Sequence, residues 1–163
     1  MPTDNSGSAL PGIEYAGFWI RVGAALIDTV IVVGLTIPLV LAVYGWKYFD
    51  ARTGLIAGPA DFLISWVLPA IAIVAFWFYR QATPGKSVLA LRVVDADTGD
   101  RLSLGQAIGR YLGYFVSIIP LCFGLIWVAL DSRKQGWHDK LAGTVVVRSK
   151  DRGTEPVRFA RAK

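Results

Sequence analysis

Apolar and polar positions along this chain separate into three long apolar runs and several short alternating ones. The long runs are Val22–Val43 (22 residues), Phe62–Tyr79 (18) and Tyr111–Leu130 (20), and Asp28 is their one charged side chain. A helix needs roughly 20 residues to cross a hydrocarbon core of about 30 Å. The first run meets that length and the other two lie at its short end. All three are apolar on every face, whereas strands of an outer-membrane barrel alternate. The pattern therefore predicts membrane helices. The first should begin near Ala16 or Gly17 and run to about Tyr44, with Trp46, Tyr48 and Phe49 as an interfacial aromatic belt. A loop follows over Ala51–Ala60. The second should start at Asp61 or Phe62, with Asp61 as N-cap. It should end in a second aromatic belt, Phe76–Tyr79, before Arg80.

Residues 81–109 are too polar to span. Within them Ser87–Asp95 partly alternates, Asp97–Asp100 is a turn signal, and Arg101–Leu104 reads as a return strand. The competing local reading has Ser103 capping an amphipathic helix through Gln106 and Arg110. After the third run comes polar Asp131–Lys140. Gly143-Thr144 then reads as a helix end turning into a short strand, Thr144–Arg148. Residues 1–15 and 149–163 read as disordered tails, leaving 16–148 as one membrane domain.

Composition agrees with the pattern. Hydrophobic residues make up 54% and charged residues 18%, against about 25% charge in a typical soluble domain. A soluble enzyme, an extended disordered protein and a disulfide scaffold are excluded. Cys122 is the sole cysteine and reads as a small buried hydrophobe. Met1–Leu10 lacks the basic region of a signal peptide, so the first run is expected to stay in the mature protein. The net charge of +5 comes from basic residues flanking the apolar runs. The bilayer, not nucleic acid, is the expected partner.

Charge also orients the chain. Between Tyr44 and Asp61, Lys47 and Arg52 balance Asp50 and Asp61. The segment after the second run carries Arg80, Lys86, Arg92, Arg101 and Arg110, and the tail after the third is more basic still. Both basic segments should be cytoplasmic. Three plain spans would put them on opposite sides. Two spans plus a re-entrant segment turning at Pro120 would put them on one. Pro120 either makes that turn or kinks a third span.

Candidate chemistry centres on Asp28. A charge within a membrane helix costs about 2.5–3.5 kcal/mol or more and usually faces a partner. Gly17, Arg21, Ala24, Ala25 and Asp28 share one helix face at i, i+3, i+4, i+7 spacing. That small-residue stripe should pack on protein. Arg21 lies about 10 Å of helix rise from Asp28, and Arg110 is the other candidate partner. Asp28 is then either a proton or cation site on a transport path or a carboxyl that locks helices. His138, with Asp131 and Asp139 nearby, makes a weak metal set and reads better as a polar turn at the membrane surface. Thr83-Pro84-Gly85-Lys86 lacks the glycines and context of a P-loop. Nucleophile motifs and dinucleotide fingerprints are absent, so no enzymatic activity, cofactor or metal is expected.

These residues resemble the RDD family of small bacterial membrane proteins. The likeness rests on GFWIRVGAALID with Arg21 and Asp28, on TPGKSVLALRVVD (Thr83–Asp95) and on WHDKLAGTVVV (Trp137–Val147). The resemblance makes Arg21 and Asp28 two of the residues that give the family its name. The third falls on Asp139, or on Asp131. It implies a bacterial cytoplasmic-membrane location. Transport of unidentified ligands has been suggested for the family, and some members look like sodium (lithium, potassium)/proton antiporters. The expected fold is an all-α helical membrane protein. It has two full transmembrane helices, a third short, broken or re-entrant helical segment, and a small cytoplasmic β-strand cap. The leading functional expectation is transport, with Asp28 exchanging a monovalent cation or proton and Arg21 and Arg110 tuning it, in a homo-oligomer. The rival is a non-transporting accessory or assembly subunit of a larger membrane complex. A third expectation is a surface sensor built on His138.

Overall fold

A computed structural model of the protein describes residues 12–51, 56–120 and 123–149. Cys122, Arg52 and most of both predicted tails lie outside those residues. Helix α1 (Phe18–Tyr44) is 27 residues long, starting one or two residues after the predicted position. Pro38 lies inside it, where a membrane helix tolerates a missing N–H. Next come α2 (Lys47–Ala51) and α3 (Pro59–Phe62), which runs through a π-helical turn (Leu63–Val67) into α4 (Leu68–Arg80). Pro69 lies two residues beyond that turn, so the wider winding falls in the turn to which its missing N–H cannot donate. Apolar side chains along α1 and the Pro59–Arg80 helix point outward, among them Leu26, Val30, Leu35, Leu63 and Ile71. This surface suits contact with lipid, not water. Both helices are long and apolar enough to cross a membrane.

Two local expectations need correction here. Asp61 is not the N-cap of the second helix; Gly58 holds that position. Asp61 sits in the first turn, fully buried, and accepts from the Ala57 N–H (2.8 Å), the Tyr48 hydroxyl (3.1 Å) and the Ser65 hydroxyl (2.7 Å). Tyr48 is thereby drawn inward and is not part of an interfacial belt, while Trp46 and Phe49 stay exposed.

After α4, Gln81 adopts a left-handed conformation and ends the helix. Short α5 (Pro84–Val88) leads into strand β2 (Leu91–Asp95). Helix α6 (Leu104–Ile118) begins with a capping box between Ser103 and Gln106, so the helical reading prevails over a return strand at Arg101–Leu104. Beyond Ile118 the chain bends by 101° into α7 (Phe123–Leu130). A five-residue helix, α8 (Trp137–Leu141), then turns through Gly143 (φ +62°) into β3 (Thr144–Ser149).

The fold departs most from expectation at the start of the chain. Residues Ile13–Tyr15, read as part of a disordered tail, form strand β1. The sheet order is β1-β3-β2, with both pairings antiparallel: Glu14 lies opposite Arg148, and Val93 opposite Val146. Three residues carry too little pattern to announce a strand. What recruits them is the free edge of β3. One small sheet thus gathers the chain just before α1, just after α5 and just after α8. Beneath it Leu91, Val93, Val146, Leu102 and Ala107 pack with Ala16, Ala24 and Trp77.

Candidate functional site

The site is assembled under the sheet by four elements that meet there: the first turns of α1, the end of α4, the middle of α6, and α8. Helix α8 supplies Asp139, which is fully buried. Its backbone begins at Gly136, whose N–H donates to Asp139 Oδ2 at 3.0 Å. Arg21 Nη1 reaches the same oxygen at 2.6 Å, and Arg110 Nη1 reaches Oδ1 at 2.7 Å. Two guanidinium groups therefore clamp one carboxylate. Arg21 also donates to the Ala16 carbonyl (3.0 Å) and the Lys134 carbonyl (2.6 Å). Arg110, fully buried, donates to the Thr144 hydroxyl (2.8 Å) and lies over the Trp77 ring, 5.1 Å from its centroid.

Burial alone would push the Asp139 carboxyl up. Arg110 and Arg21, with the Gly136 N–H, outweigh that effect and hold it well below the usual carboxylate range. His138, its neighbour, is pushed down to about 3, chiefly by burial, so its imidazole is neutral at pH 7. The ring stacks on Tyr114 at 4.0 Å, and the His138 N–H donates to the Ser117 hydroxyl at 3.0 Å. His138 is thus a buried packing residue, not a turn at the membrane surface.

Asp28 occupies a second, separate position. Its Oδ2 accepts from the Thr83 hydroxyl (2.5 Å) and its Oδ1 from the Gly85 N–H (2.7 Å). Neither Arg21 nor Arg110 serves as its partner; both turn to Asp139. The expectation that these arginines would pair with Asp28 is corrected accordingly. What Asp28 holds is α5, pinned against the small-residue stripe of α1. A Cβ on Gly85 would lie 2.2 Å from the Ala24 carbonyl oxygen, so only glycine allows the approach. Lys86 follows, nearly buried, with its ammonium 5.2 Å from the Trp77 ring centroid.

Arg21, Arg110, His138, Asp139 and Thr144 are thus brought together, and Asp28, Thr83, Pro84, Gly85 and Lys86 form a second group beside them. Asp131 belongs to neither. It accepts from Lys140 (2.5 Å) and from the Arg133 and Gln135 N–H groups in a surface turn. Gly143 turns the chain, and its carbonyl accepts from the Ala96 N–H (2.9 Å). Sequence reasoning missed Trp77, Tyr114, Ser117 and Gln135, which enclose the cluster. Trp77 had the look of an interfacial belt residue, yet it is 2% exposed.

Both groups border a cavity of about 350 Å³ between α1, α4, α6 and α7. Its walls are mostly apolar, from Ile31, Leu35, Ile73, Phe76 and Val128. Among the described residues no three His, Cys, Asp or Glu side chains gather as metal ligands.

A model of the RDD family matches residues 15–143. The chain is 32% identical over 150 residues to the uncharacterized protein YxaI of Bacillus subtilis, covering 81% of this chain and 96% of that one. It is 30% identical over 137 residues to the uncharacterized membrane protein YteJ of the same organism, covering 83% and 82%. A shorter match, 40% over 76 residues, links 47% of this chain to 42% of the uncharacterized protein RP437 of Rickettsia prowazekii. No solved structure matches the chain.

Proposed function

The chain belongs to the RDD family, and on that footing we propose that it is a non-enzymatic, non-transporting accessory or assembly subunit of the bacterial cytoplasmic membrane. Its intramembrane charges act as helix locks. The observation that carries this reading is the state of the two carboxylates. Asp139 is closed in by Arg21, Arg110 and the Gly136 N–H. Asp28 accepts from Thr83 and Gly85. A cation exchanger needs a carboxylate that can alternate between a proton and a metal ion. Here each carboxylate already has donors, and the other charged side chains beside them, Arg21, Lys86 and Arg110, are cationic.

The sheet supports a definite topology within this reading. Strands before α1 and after α4 share it, as two crossings require. Strand β3 also pairs with β2, which supports an α6–α7 segment that returns to the side it left. The 101° bend beyond Ile118 is where it turns. The segment is re-entrant, and the basic loop and tail both face the cytoplasm under the positive-inside rule.

Cation/proton exchange is the second reading, favoured by one observation: Asp28 borders the cavity. Proton-coupled flux in proteoliposomes under sodium, lithium and potassium gradients decides between them. The accessory reading expects no flux from well-folded protein and a loss of abundance or partner binding in Asp28→Asn. Flux that disappears in folded Asp28→Asn overturns it.

A further inference from the structure

The cavity between α1, α4, α6 and α7 has one property that neither helix locking nor cation exchange uses: its polar end is cationic and incompletely satisfied. Three cations meet there, Arg21, Lys86 and Arg110, against two carboxylates, Asp28 and Asp139. Both carboxylates are engaged, and no carboxylate of the described residues pairs with Lys86; its ammonium rests over Trp77. Arg110 is 0% exposed. Its Nε and Nη2 make no hydrogen bond, although the Tyr114 hydroxyl lies near the guanidinium. Buried charged donors without acceptors are costly, and an arriving acceptor recovers that cost. The remaining titratable side chains on the lining are Tyr111, Tyr114 and His138, and no further carboxylate lies among them. The rest of the wall is hydrocarbon and aromatic. Its volume of about 350 Å³ lies within the range of small-ligand pockets, about 300–1,000 Å³.

We propose that this cavity binds a single-tailed anionic amphiphile, with its carboxylate or phosphate head at Lys86 and Arg110 and its tail between α1 and α4. Charge complementarity selects the head and the apolar wall selects the tail. A cation is repelled by the net positive end, and a purely apolar guest would leave the Arg110 donors unmet. The proposal stands whether the protein is an accessory subunit or an exchanger.

The test uses purified full-length protein in a neutral maltoside detergent. Three probes share one tail: oleate, oleoyl-lysophosphatidylglycerol and oleoyl-lysophosphatidylcholine. Retained probe is counted by native mass spectrometry. At least one anionic probe should bind about tenfold or more tightly than the zwitterion, the scale of one added charge-assisted hydrogen bond. Which of the two does so separates a fatty acid from a phospholipid source. Lys86→Gln should reduce that preference severalfold, and Ala72→Phe, which fills the apolar wall, should weaken all binding at the site. Thermal melting checks that each variant is folded. If Lys86→Gln does not fold, Lys86→Arg should keep the preference while Ala72→Phe still weakens binding. Equal binding of all three probes by the wild type overturns the proposal. So does a preference left intact in both folded Lys86→Gln and Ala72→Phe, because it would then arise from the basic surface.

Discussion

Arg110 Nη1 lies 2.7 Å from Asp139 Oδ1, and neither side chain is exposed to any extent. One residue comes from the middle of α6 and the other from α8, so the pair joins the bent α6–α7 segment to the turn that leads into β3. Arg21 completes the bond from α1. Removing one partner of such a pair leaves a buried charge unmatched, at about 3–5 kcal/mol. Asp139→Asn should therefore strip most folded protein from the membrane, whereas Asp131→Asn, at a surface turn, should cost less than about 1 kcal/mol. Accumulation and thermal melting of the two variants check this. Equal tolerance of both would remove Asp139 from its central place.

Asp28 and Thr83 should behave as one unit. Asp28→Asn and Thr83→Val each remove part of the bond that seats α5, at about 1–3 kcal/mol. The double variant should cost clearly less than the sum, as contacting residues do. A double-mutant cycle on melting temperatures measures the coupling, and strict additivity would show that the bond contributes little.

Glycines sort by what a methyl group would meet. Gly85→Ala places its Cβ against the Ala24 carbonyl oxygen and 3.0 Å from the Asp28 nitrogen. Both are backbone atoms and cannot swing aside, so α5 must lift off α1. Gly109→Ala meets nothing within 4 Å and should be neutral or stabilising through helix propensity. Expression and melting of the pair provide the comparison.

His138 makes stability depend on pH. Its folded pKa is lowered to about 3, against about 6.5 in an unfolded chain. Between those values the unfolded chain binds more protons, so stability rises with pH there. It is fully present above about 6.5 and declines as pH falls toward 3. Asp139, also held below its ordinary value, adds its own loss only as pH falls through the acid range below about 3.9. His138→Phe keeps a ring on Tyr114 and should flatten the melting temperature between pH 4 and 6.5. An unchanged slope would place the proton elsewhere.

The re-entrant topology is open to labelling. In a Cys122→Ser background, Thr98→Cys and Arg133→Cys should react with an impermeant thiol reagent from the same side, and Lys47→Cys from the other. All three native positions are exposed. Thr98→Cys and Arg133→Cys labelled from opposite faces would restore three plain spans.

The apolar runs were enough to locate α1 and the Pro59–Arg80 helix, because a long run without charge has few other places to go. Ser103 with Gln106 offered the start of α6, in competition with a return strand at Arg101–Leu104, and the β-branched run at Val145–Val147 marked β3. Local chemistry of this kind is written in neighbouring residues. Asp28 was legible as a charge in need of a partner for the same reason: the cost of placing it in an apolar helix does not depend on which partner it finds.

Its partner was another matter. Arg21 and Arg110 were the plausible counter-ions by charge, yet both bind Asp139, 118 and 29 residues away from them respectively, by the numbering of the chain. Helical spacing orders residues along one element and says nothing about which elements meet. The same limit hid β1, whose three residues become a strand only against the edge of β3, and Trp77, whose aromatic neighbours suggested an interface until α6 covered it. The sequence by itself determined a membrane protein with two long helices, a third apolar segment whose course stayed open at Pro120, and charges that had to be matched. Tertiary structure alone decided how they were matched, because pairing across more than a hundred residues depends on packing, which no local pattern records.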